Sequence, residues 1–404
     1  MTAIDFARSA DRCVQCGFCL PVCPTYKIMD SEESSPRGRI ALARALEAGD
    51  VQADLVTLAT FNECVGCRAC ESACPSGVVY EDVLLYGREA LARAGARLPW
   101  DACILLFVIQ SPFRLLVARE LWRHLGALAF RALRFSTSRW PPLAMLAALP
   151  APSREHLGTQ PEAETAVHRG CLMDIFWEGT NERAVLLLRE TGERADLLPL
   201  SVGCCGALHA HQGDRETART RAKQVIAAFE SSGARTLISL AGGCGAFLAG
   251  YQHLFDAGDP WHERAERFSS AVRDISSVLA ERGYEPAATA AKTTYQDSCH
   301  LRHGMRVWRE PREILRSSSA YVEMPSADWC CGSAGIYNMI RPDIAGTLLQ
   351  EKVDEARAIM PDIVVTSNPG CELQWRMGVR KARLPVRVRH IVDYLFEQRN
   401  NGGA

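Results

Sequence analysis

Two short stretches of this chain each carry four cysteines in the pattern C-x2-C-x2-C-x3-C-P. Residues 13–24 read CVQCGFCLPVCP, and residues 64–75 read CVGCRACESACP. Three thiolates in one tight loop suit the corners of a cubane, and in proteins with two [4Fe-4S] clusters the fourth cysteine of each stretch ligates the other cluster. The spacing therefore predicts two ligand sets: Cys13, Cys16, Cys19 and Cys74 for one cluster, and Cys64, Cys67, Cys70 and Cys23 for the other.

The cysteine content favours metal ligation over disulfide bonding. The chain has 17 cysteines in 404 residues, and its N-terminus, MTAIDFARSADRC, lacks the apolar core of a signal peptide. We therefore expect a cytoplasmic protein in a reducing compartment, where paired thiols bind metal more often than they form disulfides. Zinc is the alternative, but zinc sites usually have two C-x2-C pairs separated by a longer spacer.

Charge and hydropathy exclude two other classes of protein. The formal net charge of -1 provides no overall basic field of the kind that attracts nucleic acid, so we expect no nucleic-acid partner. The longest uncharged apolar run, residues 102–113, is too short to span a bilayer. The sequence thus predicts a globular protein of two or three domains.

The later cysteines reveal an internal duplication. Apart from Cys103, they form two sets of four, and each member of the first set is matched 126 to 128 residues later. The two sets are Cys171, Cys204, Cys205 and Cys244, and Cys299, Cys330, Cys331 and Cys371. The C-terminal half therefore consists of two related units, each with a CCG motif.

The residues between and after the two opening motifs have a helical pattern. The predicted helices are 37–48, with Ser35 as N-cap and Gly49 as stop, then 53–62 and 81–95. Leu55, Leu58 and Phe61 would share the buried face of the second helix. The two opening motifs are therefore predicted to lie in a small helical domain rather than in a compact β-rich one.

In the duplicated half, short apolar runs lead into the cysteines and alternate with helical stretches. The predicted strands are 165–169, 195–201, 236–240, 292–296, 321–324 and 363–366, and the predicted helices include 217–231 and 344–358. This alternation indicates α/β repeats with a mostly parallel sheet, in which ligands collect beyond the carboxyl ends of the strands. Cysteines there, close to helix N-termini, are expected to be thiolates of depressed pKa, and Gly206 and Gly332 would allow sharp turns.

Several motifs together resemble one known family. CVQCGFCLPVCPTY, SPRGRI, VGCCGALHAH, GGCGAF, CCGSAGIYN and SNPGCE are similar to the iron-sulfur subunits of bacterial glycolate oxidase, a flavin-dependent glycolate dehydrogenase complex. The resemblance runs nearly end to end. It implies an electron-transfer subunit that works with FAD-binding dehydrogenase subunits and passes electrons to a quinone or another acceptor.

What the two CCG sets bind is left open. In heterodisulfide reductase the comparable pattern ends in C-x2-C and supports an unusual cluster, whereas Ala241 and Asn368 replace the first cysteine of that pair here. Each set can form a third or fourth site that holds an additional iron-sulfur cluster or zinc, or can act as a thiol group without metal.

Histidines close to these cysteines are further candidates. His209 and His211 follow the first CCG motif, and His300 and His303 follow Cys299. They can relay protons or ligate metal, and His211 and His300 are the catalytic candidates. The alternative is that they only make hydrogen bonds in a polar loop.

The stretch between the two halves, residues 100–150, is apolar and basic. Its six arginines face only Asp101 and Glu120, a local charge of about +4: Arg114, Arg119, Arg123, Arg131, Arg134 and Arg139. A basic amphipathic helix can lie on an anionic membrane, which predicts peripheral contact with the inner face of the cytoplasmic membrane. The alternative is that its apolar face packs on the repeats. Cys103, in this stretch, is predicted to be a buried small hydrophobe.

These patterns predict an α+β multidomain protein. Its parts would be an α-helical ferredoxin domain at 1–98, a basic amphipathic helical segment with linker at 99–161, and duplicated α/β CCG domains at 162–290 and 291–400. Since no G-x-G-x-x-G follows a strand, we expect neither FAD nor NAD on this chain.

The predicted function is therefore electron transfer through two [4Fe-4S] clusters, with the hydroxy acid oxidised on a partner subunit. A catalytic subunit like that of heterodisulfide reductase, the iron-sulfur subunit of a glycerol-3-phosphate or lactate dehydrogenase, and a zinc-bound scaffold are the alternatives.

Overall fold

A computed structural model describes residues 3–133, 141–158, 160 and 162–401. Its N-terminal region consists of short helices around two cysteine loops, with no strand between residues 3 and 93. The helices are α1 (Ala3–Asp11), α2 (Pro24–Met29), α3 (Pro36–Ala48), α4 (Leu55–Glu63), α5 (Ala69–Ser72) and α6 (Tyr80–Arg93), with a 3-10 turn at Glu32–Ser34. Phe6, Leu58 and Val83 are fully buried where these helices meet. The predicted helical domain is confirmed.

The predicted caps of α3 are present in the structure. Ser35 Oγ accepts a hydrogen bond from the Gly38 N–H at 3.0 Å, which satisfies one of the free amide groups of the first turn. Gly49 ends the helix with a φ of 77°, a left-handed conformation that suits glycine.

Helix α4 differs from its prediction at the start. It begins at Leu55, where Asp54 caps it by accepting the Thr57 N–H at 2.8 Å. Leu58 and Phe61 are buried, but the prediction for Leu55 is wrong, because this residue lies in the first turn beyond the core and is exposed.

The central segment forms three helices, of which the first two make a bent pair. Its helices are α7 (Trp100–Ile109), α8 (Pro112–Leu133) and α9 (Pro141–Ala148). Leu115 and Trp122 bury one side of α8 against the first repeat, as the packing alternative predicts. Within the described ranges, no single helix is long and apolar enough to cross a membrane. Only the pair Trp100–Ile109 and Pro112–Ala129 has the combined length and apolar composition of a membrane span, and it is bent by 107°.

Two predictions for this segment need correction. Cys103 is exposed, because it lies on the outer side of α7, so the prediction of a buried residue is wrong. The basic face is weaker than expected, since Arg119 pairs with Asp174 and Arg123 with Glu178 towards the repeat. Arg134 and Arg139 lie outside the described residues, as do 159 and 161 of the predicted linker.

Two α/β repeats make up the rest of the chain. The first contains β1 (Thr165–Val167), α10 (Cys171–Phe176), α11 (Glu178–Glu190), β2 (Ala195–Leu197), α12 (Ala207–Ala210), α13 (Arg215–Ser232), β3 (Thr236–Ser239), α14 (Gly242–Leu248), a 3-10 turn (Tyr251–Leu254), α15 (His262–Ser270), β4 (Val272–Asp274) and α16 (Ile275–Glu281). The second contains β5 (Lys292–Gln296), a π-helical turn (His300–Gly304), α17 (Glu310–Ser318), β6 (Ala320–Tyr321), α18 (Tyr337–Ile340), α19 (Pro342–Ile359), β7 (Ile363–Thr366), α20 (Pro369–Lys381), β8 (Arg387–His390) and α21 (Ile391–Asn401).

Each repeat has a parallel four-stranded sheet, in the order β2-β1-β3-β4 or β6-β5-β7-β8. The registers correspond, with Thr165 opposite Thr236 in one sheet and Thr293 opposite Ile363 in the other. The prediction of duplicated α/β units is thus confirmed, although β4 and β8 were not predicted. In such open sheets a crevice forms at the carboxyl ends of the strands where the strand order reverses.

The two repeats share one apolar core. Buried residues of both sheets belong to it, among them Val167 and Ile238 from the first and Ile363 from the second. Trp177 Nε1 in the first repeat donates to Glu372 Oε2 in the second at 2.8 Å, a buried hydrogen bond. This packing fixes the cysteine-bearing ends of the two sheets relative to each other.

Candidate cysteine sites

The two N-terminal cysteine loops have the same backbone conformation. Gln15 and Gly17 have positive φ of 58° and 85°, and the equivalent Gly66 and Arg68 have φ of 66° and 65°. Left-handed residues at these two positions curl each loop around its cysteines. In the second loop the Gly66 N–H donates to Cys64 Sγ at 3.3 Å.

The second loop and Cys23 form one buried group of thiols. Cys23, Cys64, Cys67 and Cys70 are all buried. Burial raises the pKa of Cys67, and the neighbouring Cys330, Cys64 and Cys23 raise it further. Burial also raises the pKa of Cys70, with a contribution from Cys23. The structure therefore brings together the four cysteines predicted for one cluster.

The first loop and Cys74 form the first group, which lies closer to the surface; the second loop and Cys23 are called the second group. The four cysteines predicted for one cluster line a cavity of about 30 Å³: Cys13, Cys16, Cys19 and Cys74. Cys70 also reaches this cavity, so the two groups adjoin. Cys16 is exposed, whereas the other three are partly exposed. The crossed pairing of motifs predicted from the spacing is therefore compatible with the fold.

A buried arginine from the SPRGRI motif lies beside the second group. Arg39 is fully buried, and its Nε donates to the Thr60 carbonyl at 2.8 Å. Its Nη1 donates to the Ser34 carbonyl at 2.7 Å. Its Nη2 makes no hydrogen bond to the described residues, and the Glu63 carboxylate lies 3.8 Å away.

A second buried arginine contacts the same group. Arg88 Nη2 donates to the Cys64 carbonyl at 2.7 Å, while its buried Nε has no hydrogen-bond partner among the described residues. Burial would lower the pKa of Arg39, but Tyr80, Cys64 and Cys23 raise it above the usual value. Burial lowers the pKa of Arg88. Negative charge on the neighbouring thiols would therefore stabilise both guanidinium groups in the interior.

These observations fit the predicted cofactor. Four thiolates around a cluster carry net negative charge, which offsets the two buried guanidinium groups and their unused N–H donors. Cys23, Cys64, Cys67 and Cys70 would hold one [4Fe-4S] cluster, and the first group would hold the other. Bound in this way, each cluster supplies a reversible one-electron centre.

The four cysteines of each repeat also converge. In the first repeat the thiol of Cys171 and that of Cys205 donate to Cys204, and these hydrogen bonds lower the pKa of Cys204. The same hydrogen bonds raise the pKa of Cys171 and Cys205. A hydrogen bond from Cys205 lowers the pKa of Cys244 to about 6, and His168 contributes to this effect.

The second repeat reproduces this pattern. Hydrogen bonds from Cys299 and Cys331 lower the pKa of Cys330, and the same contacts raise the pKa of both donors. The expectation that all these cysteines are thiolates of depressed pKa is therefore wrong, because buried neighbouring thiols share protons rather than ionise together. Gly206 and Gly332 have φ of 90° and 85°, as the predicted sharp turns require.

The two sets of four cysteines line a single cavity of about 120 Å³ between the repeats. Its lining also includes His211 and His300, together with Glu81 and Arg88 of the N-terminal region. Among the described residues, no three His, Cys, Asp or Glu side chains are placed around a single metal ion. A [4Fe-4S] cluster has a different requirement, because each of its four cysteines binds a separate iron.

The two catalytic candidates meet at the wall of this cavity. The rings of His211 and His300 lie 5.6 Å apart, and His211 Nε2 is 3.8 Å from Glu81 Oε1. Although burial opposes it, Arg68 and the two histidines lower the pKa of Glu81 to about 2. Burial and His211 lower the pKa of His300 to about 4.

The other two histidines make local contacts away from this pair. His209 Nδ1 lies 3.3 Å from Asp214, and His303 Nδ1 is 2.8 Å from Ser72 Oγ. The hydrogen-bonding alternative therefore describes these two, and it also applies to His300, whose Nε2 lies 2.7 Å from the Gly66 carbonyl.

Sequence reasoning missed three residues of this region. Arg39 could have been noticed as a charged residue on the apolar side of a predicted helix, next to Ile40. His168 is a polar residue in an apolar strand run, and it is buried beside Cys244. Glu81 carries no sequence signal, because its role depends on contacts with the first repeat.

Comparison with family models matches both parts of the chain. Residues 9–78 match the model of the 4Fe-4S dicluster domain. Residues 165–249 and 293–376 each match the model of the cysteine-rich domain.

Relatives match over most of the chain. The probable glycolate oxidase iron-sulfur subunit of Bacillus subtilis is 38% identical, over 95% of this chain and 93% of that protein. The glycolate oxidase iron-sulfur subunit of Escherichia coli is 29% identical over 94% and 92%. Lactate utilization protein A of Exiguobacterium is 26% identical over 56% and 94%. A solved structure of a hypothetical protein from Helicobacter pylori aligns with a TM-score of 0.44 at 10% identity, over 79% of this chain and 67% of that one.

Proposed function

This chain belongs to the family of glycolate oxidase iron-sulfur subunits, and on that premise we propose that it is the electron-transfer subunit of a flavin-dependent glycolate dehydrogenase. Electrons would come from reduced FAD on a partner subunit, pass through two [4Fe-4S] centres and leave for a quinone or another acceptor. Oxidation of the hydroxy acid would belong to the partner. The isolated chain would then not oxidise substrate.

One contact carries this proposal. Cys67 of the second N-terminal group packs against Cys330 of the second repeat, in an apolar cluster that also contains Val65 and Tyr337. The thiols are close enough for Cys330 to raise the pKa of Cys67. A continuous series of cysteine groups therefore leads from the exposed Cys16 to the cavity between the repeats.

A second candidate function is supported by that cavity. Eight cysteines and two histidines around one space would also suit a subunit that reduces a disulfide acceptor itself. This alternative predicts thiol-dependent turnover by the isolated chain. It also predicts iron beyond the content of two clusters.

Anaerobic co-purification with untagged partner subunits tests the proposed function. We expect about eight iron atoms and about eight sulfides per chain from two [4Fe-4S] clusters, and flavin only in fractions that contain a partner. The measurement is an assay of iron, sulfide and flavin in the same preparation. Colourless protein with zinc and no sulfide would instead identify the scaffold alternative.

We also propose that the bent pair α7–α8 contacts the membrane surface. Half of the sixteen exposed large apolar residues in the described part of the chain lie on these two helices: Trp100, Ile104, Phe107, Phe113, Val117, Leu121, Leu125 and Leu128. They recur every three or four positions, so each helix presents one apolar side. Arg114 stacks on Phe107 at the edge of this side.

Replacement of Leu121 and Leu125 by serine is expected to weaken binding of the chain to vesicles of phosphatidylglycerol and phosphatidylcholine by about tenfold or more. The substitution removes apolar area of two exposed side chains that would otherwise enter the lipid. The measurement is co-sedimentation. The matched control is replacement of Leu55 and Val56, exposed on α4, by serine. Equal binding by both variants would contradict the membrane proposal.

A further inference from the structure

The two N-terminal cysteine loops are alike in sequence and backbone but differ in what covers them. In the second loop, Val65 and Cys67 are buried. Val14 and Cys16 hold the same places in the first loop, and both are exposed, Val14 by 68%. Phe18, two residues after Cys16, is 65% exposed. The same face of one motif is therefore covered in one copy and open in the other.

The second repeat is what covers this face of the second loop. Val65 and Cys67 pack with Cys330, Tyr337 and Leu348 in one apolar cluster. The contact is held at its edges by polar bonds, since Tyr337 Oη donates to the Glu63 carbonyl at 2.6 Å. His300 Nε2 lies 2.7 Å from the Gly66 carbonyl. In this chain, that face is the place where one cysteine group meets the next.

The open face of the first loop has the composition of a contact surface. Large apolar side chains that are two-thirds exposed are costly in water, and adjacent ones mark sites of interaction. Two arginines border the loop: Arg12 directly precedes Cys13, and Arg37 Nη1 donates to the Gln15 carbonyl at 3.3 Å. An apolar centre with a polar rim is typical of protein interfaces.

The position of this face in the series of cysteine groups decides which partner it suits. The cysteines at the far end of the series, around the cavity, are buried or partly buried, whereas Cys16 is exposed. Electron transfer slows steeply as the protein between two centres thickens, so electrons from another protein must enter where a ligand is exposed. A membrane contact is already available on α7–α8, which is a different part of the chain.

We propose that Val14, Cys16 and Phe18 form the docking surface for the electron-donating, flavin-bearing subunit, in the same way that Val65 and Cys67 dock on the second repeat. This inference rests on the proposed function, because it takes the donor to be a flavoprotein. Two observations support it: the second loop is covered within the chain, and the equivalent face of the first loop is exposed.

The test is a double replacement, Val14→Ser with Phe18→Ser, in the full chain co-expressed with the flavin-bearing subunits of its complex. Serine removes apolar area without adding charge next to the cluster. We expect unchanged iron and sulfide content and an unchanged electron paramagnetic resonance signal after reduction with dithionite. We expect the dissociation constant for the flavoprotein to rise about tenfold or more, as for central interface residues. The readouts are the flavin-to-iron ratio after gel filtration and the binding isotherm.

The matched control is Leu55→Ser with Val56→Ser, which removes similar exposed apolar area from α4. It is expected to bind the flavoprotein as the unaltered chain does. Wild-type affinity of the Val14/Phe18 variant for the flavoprotein would overturn the docking inference and leave the proposed function intact. The same conclusion would follow if the variant lost self-association but still bound the flavoprotein normally. Failure of the unaltered chain to bind any flavoprotein would overturn both. Loss of iron in the variant would show that these side chains serve cluster assembly, which also contradicts the inference.

Discussion

Replacement of Cys16 by serine is expected to stop electron passage from the flavoprotein to an external dye, while reduction of the flavin by glycolate continues. Cys16 is a predicted ligand of the first cluster and is the most accessible member of its set. A serine hydroxyl is a poor ligand for this cluster compared with a thiolate. The iron content should fall from about eight to about four per chain, and dye reduction by about a hundredfold or more.

The control for this experiment is another exposed cysteine. Cys103 lies on α7 and belongs to none of the cysteine groups, so Cys103→Ser should leave the iron content and dye reduction unchanged. Flavin bleaching by glycolate, followed by stopped flow, separates loss of the electron path from loss of the dehydrogenase. Dye reduction at the wild-type rate in Cys16→Ser would exclude a path through the first group.

Spacing alone predicts which N-terminal cysteines form each group, and the fold is compatible with that pairing. The three cysteines of each loop are neighbours in sequence, and the crossed fourth ligands follow from the pattern of two-cluster proteins. The helix caps at Ser35 and Gly49 and the parallel sheets were equally accessible, because they depend on local residue types and on strand–helix alternation.

What depends on contacts between distant elements could not be predicted. The sharing of one cavity by both CCG sets results from the packing of two repeats on a common core, which no local pattern encodes. The predictions that Leu55 and Cys103 are buried were wrong for a related reason. An apolar residue type indicates a tendency to be buried, but it does not tell which side of a helix packs against another element. The mixed pKa shifts of the CCG cysteines arise because thiols from separate loops meet.

The surroundings of the two N-terminal groups indicate a direction for electron flow. The second group is buried beside Arg39 and Arg88, and positive charge in a low-dielectric interior favours the reduced, more negative state of a cluster. The first group is near the surface, and its nearby Arg37 is neutralised by Glu32 at 2.6 Å. The second centre should therefore have the higher potential, so that electrons move inward.

Replacement of Arg39 by glutamine is expected to lower the midpoint potential of the second centre. The change removes a buried guanidinium group whose Nη2 has no hydrogen-bond partner among the described residues. Reduction of the second centre therefore becomes less favourable, because the added electron loses a nearby positive charge. At an effective dielectric constant of about 20, a charge at about 8 Å contributes about 2 kcal/mol, which is about 90 mV for a one-electron couple. The measurement is a potentiometric titration of the two reduced clusters followed by electron paramagnetic resonance.

Arg37→Gln is the matched control, since Arg37 lies two residues away on the same helix but is partly exposed and paired with Glu32. Its pairing with Glu32 and its contact with solvent screen this charge, so the potential of the second centre should not move by more than about 20 mV. Arg39→Lys keeps the charge and should restore most of the potential, which separates the effect of charge from that of packing. If Arg39→Gln does not retain its iron, the prediction is tested by Arg39→Lys, which must keep its full iron content and a wild-type potential of the second centre. An unchanged potential in iron-replete Arg39→Gln would mean that this guanidinium does not act on the second centre, and the inward gradient would lose its physical basis.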